Sequence, residues 1–387
     1  MKRRTFGSFL ALGALLTACA DADQPVAPES AIAGNGSPSR AAQPGAVYLM
    51  SNAAGPNEVI VYERATDGSL AHMGAVATGG EGTGAGLGNQ GALALTTNGR
   101  WLLVVNPGSD DISLLRVTPE GLALVDRAAS GGDQPISLTV HRDLIYVLHA
   151  GVPNSISALR LEQNGELHPL PGSSRPLSGA DVAPAQVGFS PDGSRLVVTE
   201  KGSNLITTYR VGRDGLTSAP TSTPSEGAVP FGFAFDRRGT LVVSEAGGTP
   251  TSGGSTLSSY RVGDDGSVHT LGGPLDVNQG GACWIAISND NRYAYSTNAG
   301  SGSLSGVRIG SRGGIEFFDD DGDGVVGMTG EGSRPLDADF SRNGRYLYVL
   351  SAGVPEVSVF RQEADGSLTQ LPSAGGLPAT ANGMAAW

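Results

Sequence analysis

The stretch Val187-Gly188-Phe189-Ser190-Pro191-Asp192-Gly193 opens the clearest copy of a unit that recurs along this chain. It is followed by Leu196-Val197-Val198-Thr199-Glu200, by Ile206-Thr207-Thr208-Tyr209-Arg210 and then by Asp214-Gly215. Short apolar runs bounded by Pro, Asp and Gly indicate strands joined by tight turns, because Asp-Gly readily adopts the positive φ that hairpins need. The pattern therefore predicts a unit of four strands, with a bend between the second and the third.

Six complete copies of this unit can be aligned. The last residue of the first strand recurs at intervals of 45 to 53 residues, at Leu95, Val140, Phe189, Phe235, Ile287 and Phe340. Four-stranded repeats of this length are typical of β-propellers. Residues 47–76 supply only strands two to four of a further blade, and residues 382–386 resemble a lone first strand. We therefore predict an all-β, seven-bladed propeller over residues 45–387, with four antiparallel strands per blade and a ring closed by the C-terminal strand joining the N-terminal blade.

The N-terminus has the pattern of an export signal. Lys2-Arg3-Arg4 precedes a short apolar run that ends in Leu16-Thr17-Ala18-Cys19, which resembles the bacterial lipobox. We predict a lipoprotein signal peptide at 1–18, lipidation of Cys19 and a flexible linker over 19–44. Export through the general secretory or the twin-arginine route stays open, since Arg3-Arg4-Thr5-Phe6 resembles the twin-arginine motif. The expected location is the bacterial cell envelope, on its periplasmic or cell-surface face, with the lipid as the only membrane attachment.

Charge excludes one class of partner. The chain carries a net charge of -12 and only two lysines, Lys2 and Lys201, against 37 acidic residues. A nucleic-acid-binding protein would need a basic stripe, and none is present. We expect a monomer that meets a small-molecule substrate or a partner in the envelope.

Ser-Pro-Asp-Gly-like turns recur along the chain, together with Arg345-Tyr346-Leu347-Tyr348-Val349 and with Asp-Gly-Ser-Leu at 67–70 and 365–368. In these motifs residues 46–387 resemble the lactonase family of propellers, which includes bacterial 6-phosphogluconolactonases and fungal 3-carboxymuconate cyclases. The resemblance implies the fold and hydrolysis of a lactone. Where the family's enzymes carry Gly-Pro-Arg-His and Asn-Glu, this chain has Ala183-Pro184-Ala185-Gln186 and Thr199-Glu200-Lys201. The family's catalytic residues therefore cannot be carried over at these positions.

Propeller topology predicts a site at one mouth of the channel, where second strands end and first strands begin. Carboxylates and imidazole can act as general bases toward water, and amides can polarise a carbonyl group. We predict that the catalytic residues there are Glu200, Glu245 and His149. The predicted substrate-binding residues are Gln186, Asn298, Asn106, Trp284 and Lys201. The alternative is that the polar side chains at these strand ends only form hydrogen bonds with buried backbone groups.

No cofactor is required by this scheme, but two calcium sites are conceivable. Asp319, Asp321 and Asp323 have the spacing of the first half of an EF-hand loop, although Gly330 replaces its final Glu. Glu200, Glu245 and Asn298 could also share a cation. A solvated acidic loop is the alternative for the first group. Gly86–Gly91 matches a dinucleotide-binding spacing, but a strand follows where a helix is required, so we interpret it as a flexible loop.

Two functions fit these observations. The first is hydrolysis of a lactone ester bond by water that Glu or His activates at the channel mouth. The second is a non-catalytic binding or scaffold role in the cell envelope, since repeat surfaces often serve recognition.

Overall fold

The structure is a computed structural model that describes residues 45–247, 254–319 and 322–387. These residues form thirty strands and no helix. Within them, therefore, no helix is long and apolar enough to cross a membrane. The strands make seven antiparallel sheets, each with its own four-strand path, and two sheets carry an extra short outer strand. The predicted all-β, seven-bladed propeller is confirmed.

Each blade runs from an inner strand to an outer strand. The inner strands are β4 (Leu93–Leu95), β8 (Pro135–His141), β13 (Pro184–Phe189), β17 (Pro230–Phe235), β21 (Ala282–Ile287), β26 (Pro335–Phe340) and β30 (Asn382–Ala386). The second strands are β5 (Trp101–Asn106), β9 (Leu144–His149), β14 (Arg195–Glu200), β18 (Thr240–Glu245), β22 (Tyr293–Asn298), β27 (Tyr346–Ser351) and β1 (Ala46–Met50).

The third strands are β6 (Asp111–Thr118), β10 (Ser155–Leu161), β15 (Leu205–Arg210), β19 (Thr256–Val262), β23 (Ser303–Ile309), β28 (Glu356–Gln362) and β2 (Gly55–Arg64). The outer strands are β7 (Gly121–Ala129), β11 (Leu167–Pro169) with β12 (Arg175–Pro176), β16 (Thr221–Pro224), β20 (Val268–Asp276), β24 (Ile315–Phe317) with β25 (Val325–Met328), β29 (Leu368–Gly375) and β3 (Leu70–Gly82).

The seventh blade is shared by the two ends of the propeller. β30 pairs with β1 in antiparallel register, with Tyr48 opposite Ala385 and Leu49 opposite Met384. This pairing gives β1 the inner neighbour that the N-terminal segment lacks, and so removes the edge an open ring would expose. The closure predicted from the sequence is confirmed.

The apolar core lies between neighbouring blades, mostly on the second and third strands. All six residues of β5 are buried, as are the apolar residues of β9, β22 and β27. The outer strands, such as β7 and β29, consist of partly buried and exposed residues. Stability therefore comes from sheet faces packed against one another around the ring, and the inner strands are left to line the channel.

Candidate functional site

Each predicted catalytic side chain lies where its second strand ends, and its hydrogen bonds are made to its own blade or to the crossover that leads into a blade. Glu200 is fully buried and accepts hydrogen bonds from the Ser178 amide and hydroxyl and from the Ser203 hydroxyl at 2.8 Å. Ser178 lies in the crossover that leads into β13, and Ser203 in the turn that leads to β15. The Glu200 carboxylate is therefore held beside its own blade.

Glu245 is enclosed in the same way. Its carboxylate accepts hydrogen bonds from the hydroxyl groups of Thr256 at 2.5 Å and of Ser258, Tyr260 and Ser225, each at 2.8 Å. Three of these donors belong to β19, the third strand of its own blade. Each of the two glutamates thus accepts several hydrogen bonds from hydroxyl groups. Their convergence on the channel, and a cation shared with Asn298, stay predictions.

His149, Asn106 and Asn298 occupy the equivalent position in three other blades. The His149 Nδ1 lies 3.2 Å from the Ser155 carbonyl oxygen, and burial lowers the pKa of this imidazole to about 4. The Asn106 amide donates to Asp111 and Ser113, and the Asn298 amide donates to Ser303 and Ser305. In these three blades, and in the blade of Glu245, the polar residue at the end of the second strand thus binds the third strand. Catalytic or substrate-binding roles for these residues stay predictions.

The mouth at which these strands end is closed by residues 84–91, the plug segment. The Asn89 amide donates to the Ile136 carbonyl on β8, and the Gln90 amide donates to the Ile285 carbonyl at 2.9 Å on β21. The Gln90 backbone N–H also donates to the Ala185 carbonyl on β13. The segment reaches three inner strands, and Asn89 and Gln90 are buried. The segment is a loop, as the Gly-rich sequence predicts, and its Asn89 and Gln90 residues reach across the channel.

Two of the predicted substrate-binding residues pack against this plug. The Trp284 indole N–H donates to the Asn89 carbonyl at 2.5 Å, and the Trp284 and Phe231 rings lie 5.0 Å apart. The Lys201 Nζ donates to the Gly88 carbonyl and lies 4.6 Å from the centroid of the Phe231 ring. Burial lowers the pKa of Lys201 to about 7, because little water reaches its ammonium group. A substrate role for either residue stays a prediction.

Beyond the plug, the inner strands enclose a cavity of about 530 Å³. Its lining includes Gln90 and Gln186 near the plug and the turn residues Pro191 and Arg237 at the other end. Both turn residues are exposed, so the cavity opens at the face opposite to the plug. Of the predicted site residues that the structure describes, only Gln186 lines it. The Gln186 side-chain amide is paired with the backbone N–H and carbonyl of Phe233.

Two aspartates of β26 line this cavity, two residues apart on the same side of the strand. Asp337 accepts hydrogen bonds from the backbone N–H groups of Ala338 at 2.9 Å and Met384 at 3.1 Å. Asp339 accepts them from Phe340 and Ala386, both at 2.8 Å. Burial raises the pKa of Asp337 to about 7, with a further contribution from the charge on Asp339, and burial raises the pKa of Asp339 to about 6. Carboxyl groups that titrate near neutrality inside a cavity are candidates for acid–base chemistry.

The comparisons with known proteins agree with this architecture. The profile of the family described as "Lactonase, 7-bladed beta-propeller" matches residues 45–174, 152–249 and 245–383. The chain belongs to the lactonase family of seven-bladed propellers. No curated protein matches its sequence.

Solved structures with this fold have diverse descriptions. The periplasmic gluconolactonase of Pseudomonas aeruginosa is 18% identical over 87% of this chain and 98% of its own, with a TM-score of 0.65. A protein from Lactobacillus plantarum is 16% identical over 89% of this chain and 99% of its own, with a TM-score of 0.71. Hydrazine synthase of Kuenenia stuttgartiensis is 17% identical over 85% and 99%, with a TM-score of 0.58. At these identities the similarity shows the fold of this lactonase-family protein and no more.

Sequence reasoning does not single out the aspartate pair, because it places Asp337 only at the start of a first strand and gives Asp339 no role. A signal is nevertheless present, since Pro335-Leu336-Asp337-Ala338-Asp339-Phe340 places two acids at alternate positions of an inner strand. Alternate positions share one side of a strand, and acids are rare at buried positions unless they are paired.

The predicted calcium loop falls partly outside the described residues, which do not include Asp321. The Asp319 Oδ2 accepts a hydrogen bond from the Gly324 N–H, and the Asp323 Oδ1 accepts one from the Val325 N–H. Among residues 45–247, 254–319 and 322–387, no three His, Cys, Asp or Glu side chains are grouped as metal ligands. Calcium binding by Asp319, Asp321 and Asp323 therefore stays a prediction.

Proposed function

We propose that this lactonase-family protein hydrolyses a lactone in the channel cavity, with water activated by the carboxyl groups of Asp337 and Asp339. The observation that carries the proposal is the placement of two carboxyl groups on one side of an inner strand, inside a cavity of about 530 Å³ that is open at one end. The family description and the gluconolactonase among the structural relatives support the reaction class.

The different proton affinities of the two carboxyl groups suggest separate roles. With a pKa of about 6, Asp339 is mostly ionised at pH 7 and can take a proton from water, whose oxygen then attacks the lactone carbonyl carbon. With a pKa of about 7, Asp337 is partly protonated and can give a proton to the ring oxygen as its bond to the carbonyl carbon breaks. The net reaction adds one water and yields a hydroxy acid.

Their backbone hydrogen bonds would assist this chemistry by fixing both carboxyl groups. Each carboxyl accepts an N–H from its own strand and another from β30, so side-chain rotation is restricted. Positioned acid–base groups lose less entropy in the reacting complex than mobile ones. None of these steps uses a metal. Addition of EDTA or Ca²⁺ to the assay tests the separate calcium prediction.

The test is hydrolysis of a lactone panel that includes δ-gluconolactone, followed by acid release. We expect Asp337→Asn and Asp339→Asn each to lower kcat/KM about a hundredfold, the usual scale of acid–base catalysis. The wild-type rate should follow a bell-shaped pH profile with limbs near pH 6 and pH 7, which are properties of the pair rather than of single residues. Melting curves establish that the variants fold.

Glu200→Gln and Glu245→Gln are the matched comparison, because the strand pattern of the sequence predicts catalysis at these two residues. If these variants fold normally and lose turnover while Asp337→Asn and Asp339→Asn retain it, the plugged mouth is the active one and the aspartate proposal is wrong. If the wild type hydrolyses no lactone in the panel, the non-catalytic binding or scaffold role replaces the enzyme.

A further inference from the structure

A second pocket adjoins the open end of the channel cavity. This rim pocket has a volume of about 480 Å³. Its polar lining comprises Thr96, Thr97, Arg237, Asn289, Asp339 and Arg342, and Phe340 and Trp387 are its aromatic side chains. Arg237 and Asp339 line both the rim pocket and the channel cavity. A ligand that lies against the aspartate pair can therefore extend into the rim pocket.

The two guanidinium groups of the rim pocket have no carboxylate partner among the described residues. Several arginines of the described residues are paired with a carboxylate, among them Arg127, Arg160, Arg195, Arg238 and Arg361. Arg237 and Arg342 form no ion pair with any described residue, although the chain has 37 acidic residues against 25 basic ones. Their N–H donors are thus available to a ligand.

Arg342 is also held in place. Its guanidinium carbon lies 3.7 Å from the centroid of the Trp387 ring, a cation–π contact that fixes the group without using its hydrogen-bond donors. The Asn289 amide donates to the Arg342 carbonyl at 2.9 Å, which ties down the backbone of the same turn. A guanidinium that is already oriented loses less entropy when it binds an anion.

We propose that Arg237 and Arg342 form a carboxylate-binding subsite, which holds the open-chain hydroxy acid that lactone hydrolysis releases. The planar fork of a guanidinium matches the two oxygens of a carboxylate. A neutral lactone lacks this group, so the subsite favours product over substrate. Asp339 in the pocket wall repels a doubly charged phosphate more than a singly charged carboxylate. This inference rests on the proposed hydrolysis for the identity of its ligand, but not for the binding itself.

Binding of sodium D-gluconate, measured by calorimetry at low ionic strength, tests the subsite. We expect gluconate to bind the wild type, with affinity falling at least tenfold in Arg237→Ala and in Arg342→Ala and also falling as salt is added. D-glucitol has the same hydroxyl groups without the charge and should not bind measurably. Arg213→Ala is the matched control, because Arg213 is an exposed arginine in the turn after β15 and lines neither the channel cavity nor the rim pocket. Arg342→Lys keeps the charge and should recover only part of the affinity.

The outcomes separate this inference from the proposed function. Gluconate binding that depends on both arginines in a protein that hydrolyses no lactone would keep the subsite and reject the enzyme. Lactone hydrolysis with equal inhibition by gluconate in the wild type and in the Arg237→Ala/Arg342→Ala double variant would reject the subsite and keep the enzyme. Binding of inorganic phosphate in preference to gluconate, or of glucitol as tightly as gluconate, also overturns the subsite.

Discussion

Polar side chains around the channel pair with the free edges of the inner strands. The innermost strand of a blade leaves backbone groups without a ladder partner, and buried backbone groups need one. The Gln90 side-chain amide pairs with the backbone of Ile285, and that of Gln186 pairs with the backbone of Phe233. Each amide donates one hydrogen bond to a carbonyl and accepts one from an N–H, because an amide can do both. Carboxyl oxygens are acceptors, and the backbone hydrogen bonds of Asp337 and Asp339 all come from N–H groups.

The aspartate pair predicts a specific dependence of stability on pH. Burial raises the pKa values of Asp337 and Asp339 from 3.8 to about 7 and about 6, so between about pH 4 and pH 7 the folded protein binds more protons than the unfolded chain. The stability that they contribute is therefore full below about pH 4 and is lost as the pH rises through 6 and 7.

We expect the double variant Asp337→Asn/Asp339→Asn to lose less free energy of unfolding than the wild type between pH 4.5 and pH 8. Urea denaturation at each pH measures this, with Glu120→Gln, an exposed turn residue, as control. His149 acts in the opposite sense, because burial lowers its pKa, so the comparison must be between variants rather than within one protein. Parallel curves for the double variant and the wild type would contradict the expectation.

Neighbouring blades are linked by tyrosines that reach from a second strand to the tight turn of the next blade. The hydroxyl groups of Tyr146, Tyr295 and Tyr348 donate to the carbonyls of Gly215, Gly366 and Gly68 at 2.8, 2.6 and 3.0 Å. Each of these glycines follows an Asp in the turn between a third and an outer strand. The repeated Asp-Gly thus shapes the hairpin and also presents a carbonyl group to the preceding blade.

Gly366→Ala should destabilise the propeller much more than Gly375→Ala in the same blade. Gly366 has a φ of +95°, and a Cβ there would lie 2.4 Å from the Tyr293 ring. The backbone conformation alone costs a non-glycine residue about 1–2 kcal/mol, and the clash adds to this. A Cβ at Gly375 would meet no atom within 4 Å, so its substitution tests the effect of alanine without the clash. Equal free energies of unfolding for the two variants would show that the turn does not need glycine.

At the scale of the whole molecule, the ring brings distant segments of the chain together. The Trp387 backbone carbonyl accepts hydrogen bonds from the Arg64 guanidinium and from the Ala46 N–H, which joins the C-terminal strand to the beginning of the propeller. The predicted signal peptide at 1–18, the predicted lipidation site Cys19 and the predicted linker over 19–44 lie outside the described residues. We propose from the sequence that they export the propeller and tether it to the bacterial envelope.

Cys19→Ser tests this tether. A lipobox cysteine is the residue that receives the lipid, so the variant should lose the lipid and be recovered as an uncleaved precursor or as a form released from the membrane. Fractionation of cells that express the full chain, with the mass of the recovered protein, measures both outcomes. Cys283→Ser is a comparison at the chain's other cysteine. Membrane recovery of the Cys19→Ser protein with wild-type processing would refute the anchor.

Local patterns in the sequence determined the blades. The ends of the second strands at Asn106, Glu200 and Glu245 agree with the structure, and so does the closure of the ring by residues 382–386. Strand periodicity and Asp-Gly turns depend on residues a few positions apart, which is why one sequence suffices to recognise them.

Only the tertiary structure decided which mouth is open and which side chains face the cavity. The plug depends on contacts such as that of Gln90 with Ile285, 195 residues apart, and the aspartate pair depends on β30 lying beside β26. Glu200 and Glu245 lie at the predicted strand ends, yet their carboxylates turn toward hydroxyl groups of the crossovers and third strands. A strand pattern fixes where a residue stands along the chain, whereas the direction and protonation of a buried polar side chain depend on partners that only folding brings near.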